Sequence, residues 1–249
     1  MDHRPSLARA FDTAEDKQRY VRRLFATIAD RYDLITRVLS GGQDARWKRR
    51  LITMAGISPG ERVLDLASGT GDLAYLAADR GARVVALDVT HRMLVLARAK
   101  HRPGQAVACV TGDMGALPLP AAAMDVVTTG YGLRNVPDLP RAIGEMARVL
   151  RPGGRLLSLD FERPERPWLR AAYLAFLAGV GGTLGWLLHG DADTYRYIPA
   201  SIRRYPGAAG VATLLQAGGF TGVRVIPLLG GLMALHVAHR APTDEPQGH

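Results

Sequence analysis

A chain of 249 residues that is 47% hydrophobic has enough apolar material for one sizeable core, and its alternating strand-like and helix-like runs favour a single α/β domain. Its 32 Lys and Arg against 23 Asp and Glu leave a formal charge of +9, which invites an anionic surface as partner. One cysteine, Cys109, excludes an internal disulfide and a cysteine-built metal site, and the seven histidines show no ligand spacing, so no metal is expected.

The first 18 residues, MDHRPSLARAFDTAEDKQ, hold no apolar stretch of the kind a secretory signal needs, so a cytoplasmic chain is expected. A helix is predicted over 14–30, because Val21, Leu24, Phe25 and Ile28 recur at helical spacing while Arg19, Arg22 and Arg23 take other faces. A second basic helix is predicted from Asp44 to Met54. Residues 1–55 are read as basic helices belonging to the same domain as 56–240. Their Arg22, Arg23, Arg46, Lys48, Arg49 and Arg50 suit peripheral contact with an anionic membrane.

The pattern then becomes strand followed by helix. SPGERVLDLASGTG supplies a turn, a strand from Val63 to Leu66 and a glycine turn, with a helix from Asp72 to about Ala78. ARVVALDVT reads as a second strand ending at Asp88, HRMLVLARAK as a helix, and AVACVTGD as a third strand ending at Asp113. MDVVTTGYGL reads as a fourth strand, LPRAIGEMARVL as a helix, RPGG as a turn and RLLSLDF as a fifth strand. Near the end, VRVIPLLGGLMALHVAH gives two strands joined at Gly230 and Gly231, a hairpin signal. The predicted fold is a doubly wound, mostly parallel seven-stranded sheet with an antiparallel C-terminal hairpin.

One segment breaks this rhythm. AAYLAFLAGVGGTLGWLL, residues 171–188, carries no charge and reaches the length of a membrane span. A span here would strand the last two β-segments across a bilayer from their sheet, and its four glycines with Thr183 make a weak helix. The expectation is therefore an apolar lid inserted over 162–205, suited to a lipophilic substrate. The last residues, 241–249, read as a disordered tail.

The stretch LDLASGTGDLA, residues 64–74, places two glycines, Gly69 and Gly71, between a strand and a helix, with Asp65 and Asp72 on either side. A dinucleotide is one candidate ligand, and an ordinary tight turn capped by Asp72 is the plainer alternative. The aspartates favour another: they would repel a diphosphate but attract the sulfonium and ammonium of S-adenosylmethionine. Asp88, ending the next strand, is placed to accept from ribose hydroxyls. Asp113 is placed to accept from an adenine amino group, with Met114 packing on the ring.

These residues also carry a resemblance. DLASGTGDL with ALPLP resembles class I S-adenosylmethionine-dependent methyltransferases. GYGLRNV (130–136), RVLRPGGRLLSLDF (148–161), DADTYRYIPASIRRYP (191–206) and GGLMALH (230–236) resemble, more specifically, the menaquinone/ubiquinone C-methyltransferase family. The resemblance spans about Phe25 to His239. It implies that Thr70 and the loop backbone hold the methionine part, with Gly130 at the cofactor where the family has Ser. It implies Arg134 and Asn135 beside the substrate ring, and Tyr32, Asp33, Asp191, Tyr195 and Arg203 in the pocket motifs. Asp33 or Asp191, or a water, would take the proton. Thr36 and Asp160 also depart from the family pattern, replacing Asn and Glu. The implied reaction is C-methylation of a lipophilic quinol ring, demethylmenaquinol to menaquinol. Another aromatic or lipophilic small molecule, methylated on carbon or oxygen, is the alternative, and an inactive cofactor-binding protein the non-enzymatic one. No N-P-P-[YF] tetrapeptide and no aromatic–basic interleaving is present, so no nucleic-acid partner is expected. A homodimer is compatible with this reading.

Overall fold

The computed structural model describes residues 7, 9–164, 166–189 and 193–242. Seven strands form one sheet: β1 Arg62–Leu66, β2 Arg83–Asp88, β3 Ala106–Thr111, β4 Met124–Gly130, β5 Leu150–Phe161, β6 Phe220–Leu228 and β7 Met233–Arg240. Their order is β3-β2-β1-β4-β5-β7-β6. The first five run parallel to their neighbours, and β7 runs antiparallel to both β5 and β6. The doubly wound sheet and its C-terminal hairpin are as expected from the sequence. Strand order reverses between β1 and β4, where connections leave on opposite faces and open a crevice at the strands' carboxyl ends.

The helices are α1 Ala14–Ile28, α2 Tyr32–Leu39, α3 Asp44–Ala55, α4 Asp72–Ala78, α5 His91–Ala99 and α6 Leu139–Val149, then α7 Pro167–His189, α8 Asp193–Arg204 and α9 Gly207–Ala217. On one face of the sheet, Trp47, Leu51 and Ile52 of α3 and Leu73, Ala74 and Ala77 of α4 pack against Val63, Val84, Val126 and Leu157. On the other, Ile143 and Met146 of α6 and Val211 and Leu215 of α9 pack against Leu64, Leu66, Val127 and Leu156. Alternate residues of β1 therefore serve opposite layers, as the period-two pleat requires. A satellite core joins Tyr20, Val21, Leu24 and Ile28 of α1 to Ile35 of α2 and Tyr197 of α8.

Four local outcomes differ from the sequence expectation. β3 stops at Thr111, because Asp113 folds back: its carboxylate accepts from the Gly115 N–H at 2.8 Å and its backbone bridges to Ala116. β4 stops at Gly130, because Tyr131 takes a left-handed φ of 61° and Leu133–Asn135 coils into a 3-10 turn. RPGG is not a free turn; it lies within β5, where the pairing jumps from Met124↔Leu150 to Val126↔Arg155. Residues 171–188 form part of one continuous 23-residue helix despite their glycines. Gly181 and Gly185 face inward, so packing against the protein outweighs weak propensity. Three further helices, α2, α8 and α9, were not among those expected from the sequence.

Leu64 is fully buried between β1 and the α6/α9 layer. Leu64→Ala is expected to destabilise the protein by about 2–5 kcal/mol, read as a lowered urea midpoint at unchanged m-value.

Candidate active site

β1, β2 and β5 each deliver a buried carboxylate to the carboxyl edge of the sheet. Asp88, at the end of β2, accepts from the Gly69 N–H at 2.8 Å and the Thr90 N–H at 2.7 Å. Burial pushes its carboxyl up, and those two N–H groups pull it back. Asp65 in β1 is 1% exposed and accepts from the Thr128 hydroxyl at 2.8 Å, while its Oδ2 has no hydrogen-bond partner. Burial pushes this carboxyl up to about 7, against the pull of the Thr128 bond.

The glycine loop between β1 and α4 is held in a conformation few residues tolerate. Gly71 has φ 85°, and a Cβ there would lie 2.8 Å from the Tyr75 ring. Ala67 and Tyr131 sit at φ 50° and 61°, uncommon for residues with side chains. Both line a cleft of about 700 Å³ together with Gly69, Asp88, Asp113, Met114, Gly130 and Asn135. Gln18, Val21 and Phe25 of α1 roof it, and the Gln18 amide donates to the Asp113 carboxylate. A smaller recess lined by Asp65, Gly69, Thr70 and Gly130 lies on the same loop and also involves Tyr32 and Tyr131.

Asp72 behaves differently from the sequence expectation. It makes no capping bond at the start of α4, and it is paired with Lys48 at 2.9 Å and Lys100 at 3.0 Å. Lys48 also pairs with Asp44 at 2.6 Å, and Asp44 accepts from the Tyr131 hydroxyl at 2.7 Å. Burial alone would discharge Lys48, but Asp72 and Asp44 outweigh it and hold the ammonium charged. Asp72 therefore lends the crevice little net negative charge; Asp88 and Asp113 line the cleft and Asp65 its recess. Lys48 is 6% exposed within this network, which removes it from the basic surface proposed for lipid contact.

A second cavity of about 950 Å³ adjoins the first, sharing Phe25, Tyr32 and Tyr131 as its wall. It is apolar, lined by Leu24, Ile35, Phe161, Tyr173, Leu177 and Met233 among others. Among the described residues, Arg134 is the one charged residue in its lining. This arginine is 7% exposed, so it makes no surface salt bridge. Its Nη1 donates to Asp160 Oδ1 at 2.7 Å and to the Tyr131 carbonyl at 2.8 Å, and its Cζ lies 4.6 Å from the Phe161 ring centroid. Burial works against its charge, yet the Asp160 carboxylate raises its pKa. Arg134 Nε and the Tyr197 hydroxyl, both on this cavity, are buried without hydrogen-bond partners.

The structure thus gathers Gly69, Asp88, Asp113, Met114, Gly130 and Asn135 on one cleft, Asp65 and Thr70 on its recess, and Arg134 on the apolar cavity. Tyr32 belongs to all three. Asp33 is elsewhere: it accepts from Thr70 Oγ1 at 2.6 Å and pairs with Lys100 at 2.7 Å, facing a polar cleft instead of the apolar cavity. Arg203 is exposed on the last turn of α8 and lines none of these cavities, because the buried stripe of that helix runs through Tyr197, Ser201 and Ile202. Asp191 lies outside the described residues, and the side chain of Tyr195 does too.

Residues 13–240 match the model of the ubiE/COQ5 methyltransferase family. The chain belongs to that family. Within it, a demethylmenaquinone methyltransferase of Thermus thermophilus is 41% identical over 220 residues, covering 87% of this chain and 100% of the relative. One of Mycolicibacterium paratuberculosis is 39% identical over 224 residues, covering 90% and 95%. An S-adenosylmethionine-dependent methyltransferase of Thermotoga maritima superposes with a TM-score of 0.62 at 16% identity, covering 88% of this chain and 99% of that one. At such identity the likeness shows the fold alone.

This methyltransferase uses S-adenosylmethionine, and its residues fit that cofactor. The free Oδ2 of Asp65 suits an ammonium, and the glycine loop leaves its backbone open to close approach. Sequence reasoning had missed Tyr131, Phe161, Tyr173, Tyr197 and Gln18, and had noted Asp160 only as a departure from the family pattern. Of these, Tyr131, Phe161 and Tyr197 fall in recognised motifs and could have been singled out; Gln18 and Tyr173 come from α1 and α7, outside any motif.

Asp65 also gives the apo protein a pH signature. Its folded pKa of about 7 exceeds its unfolded value near 3.8. The stability it contributes is full below the unfolded value and is lost as pH rises through about 7. In Asp65→Asn that loss should vanish: between about pH 5 and 8, wild-type stability should fall relative to the variant, as followed by urea denaturation without cofactor.

Proposed function

We propose that this methyltransferase methylates a ring carbon of a lipophilic quinol, converting demethylmenaquinol to menaquinol. The observation that carries this reading is the pair of adjoining cavities. A cleft edged by carboxylates meets an apolar cavity across Phe25, Tyr32 and Tyr131, and one buried guanidinium stands on the apolar side. An aromatic ring with an isoprenoid tail suits the apolar cavity, and its oxygen suits the unpartnered Arg134 Nε and Tyr197 hydroxyl. The names carried by relatives at 39–41% identity agree.

S-adenosylmethionine supplies an electrophilic methyl group on a sulfonium. Asp65 would hold its ammonium, Thr70 and the loop backbone its methionine part, Asp88 its ribose hydroxyls, and Asp113 with Met114 its adenine. The ring is then held with one carbon toward the methyl group, a positioning effect worth as much as about 7–11 kcal/mol in favourable cases. The quinol's O–H proton leaves and its electrons make the ring carbon nucleophilic. That carbon's electron pair forms the new C–C bond, and the S–C pair stays on sulfur. Loss of the hydrogen on the same carbon as a proton restores the aromatic ring as a phenolate, whose oxygen takes back a proton to give the methylated quinol, so one proton is released overall. Arg134 stabilises the phenolate charge that builds on the ring oxygen. Asp160 keeps the guanidinium charged and in place but, being already paired, does not act as base. Among the described residues no aspartate or glutamate lines the apolar cavity; with Asp33 turned to the polar cleft, Asp191 or a water takes the proton. Asn135 is braced by its bond to the Tyr131 carbonyl at 2.9 Å, leaving Oδ1 free to orient the ring edge.

The decisive assay incubates the enzyme with labelled S-adenosylmethionine and reduced demethylmenaquinone and reads the product by mass spectrometry. A single added methyl on ring carbon is expected; methylation on oxygen, or none, refutes the reading. Arg134→Ala should lower kcat by about 10²–10³-fold with S-adenosylhomocysteine affinity unchanged. Near-normal turnover in that variant would remove Arg134 from the mechanism.

A further inference from the structure

The outward face of α7 is apolar along its whole length. Its exposed positions include Trp168, Ala172, Phe176, Gly179, Thr183, Trp186 and Leu187, which follow a helical stripe, and none is charged. Trp168, Phe176, Trp186 and Leu187 are 56–67% exposed. The opposite stripe, Leu174, Leu177, Gly181 and Gly185, is buried against the protein. A helix on a water-facing surface normally reverses this arrangement, with polar residues outside. The apolar surface continues beyond α7. Leu34 and Val38 of α2, which packs beside α7, are about half exposed, and so is Leu229 in the turn between β6 and β7.

The patch also reaches the substrate cavity. Phe176 and Leu229 are at once exposed and part of that cavity's lining. Its charge complement lies at one end of α7, where Arg163 and Arg166 are exposed and Arg170 is partly so. None of these three makes an ion pair among the described residues. Tryptophans near the two ends of a helix with no charge after Arg170, and arginines at its start, match the polarity gradient of a bilayer surface.

We propose that α7, with Leu34, Val38 and Leu229, lies in the surface of an anionic lipid bilayer and opens the apolar cavity directly to it. This rests on the quinol reading above. A ring can then enter past Phe176 and Leu229 while its tail stays among lipid chains, never crossing water. The helix lies on the membrane instead of spanning it, because its inner stripe is already packed on the protein. The docking surface is therefore α7 and not the basic faces of α1 and α3.

The test uses the full-length enzyme and vesicles of phosphatidylcholine with or without phosphatidylglycerol. Wild type should float with the anionic vesicles, and its tryptophan emission should shift blue, since two of its three tryptophans lie on the patch. Trp186→Glu with Leu187→Glu alters exposed residues outside the cavity lining. This variant should keep S-adenosylhomocysteine affinity and turnover on a short-tailed, water-soluble quinol. It should lose flotation and at least tenfold in turnover on long-tailed quinol in vesicles. Equal flotation of wild type and variant, or none by either, overturns the proposal. So does a wild-type dimer that the variant converts to monomer without changing flotation, which would make the patch a contact between two copies. If wild type floats but methylates no soluble quinol, the function assigned above fails while the docking stands.

Discussion

Three carboxylates buried at the carboxyl edge of one sheet set the terms for the rest of the molecule. Asp65, Asp88 and Asp160 lie near or at the ends of β1, β2 and β5, and each is at most 7% exposed. A buried charge is costly unless it is paired or hydrogen-bonded. The fold answers this three ways. Asp88 takes two backbone N–H groups, one from the glycine loop, and so fixes that loop's path. Asp160 takes the Arg134 guanidinium together with the backbone N–H of Phe161. Asp65 takes one hydroxyl and keeps an oxygen without a partner. The first answer builds the cleft and the second plants a cation in the apolar cavity. The third leaves an unmet demand that suits a positive ligand.

Around that edge, the elements outside the sheet divide the labour. α1 roofs the cleft, while α2, α7 and α8 wall the apolar cavity. Phe25, Tyr32 and Tyr131 are shared, so the two chambers meet only through a thin aromatic partition. Tyr131 is also tied by its hydroxyl to Asp44, and through Lys48 and Asp72 to the start of α4. This chain of contacts couples the partition to the glycine loop, and its members come from three separate segments.

The course of the sheet, the glycine loop and the Asp88 position were legible in the sequence because each is a local signal. A strand, a turn and a helix occupy consecutive residues, and an acid at the end of the next strand falls at a fixed spacing. Other features were misread because the deciding partner is remote. Asp72 looked like a free negative charge at a loop, but its neutralising lysines lie 24 residues before it and 28 after it. Lys48 looked like part of a basic surface for the same reason. Arg203 shares a motif with the pocket residues, yet helical rotation turns it outward.

What the sequence by itself determined was the fold class, the family, the cofactor and the lipophilic character of the inserted segment 171–188. Periodicity and contiguous motifs encode those directly. Tertiary structure alone decided which charges cancel, that Arg134 is buried beside Asp160 across 26 residues of chain, and that Asp33 faces away from the substrate cavity. It also decided that the apolar stripe of α7 points outward. The physical reason is common to all of these: a side chain's charge state and exposure depend on neighbours brought in by long-range packing, and sequence spacing does not specify them.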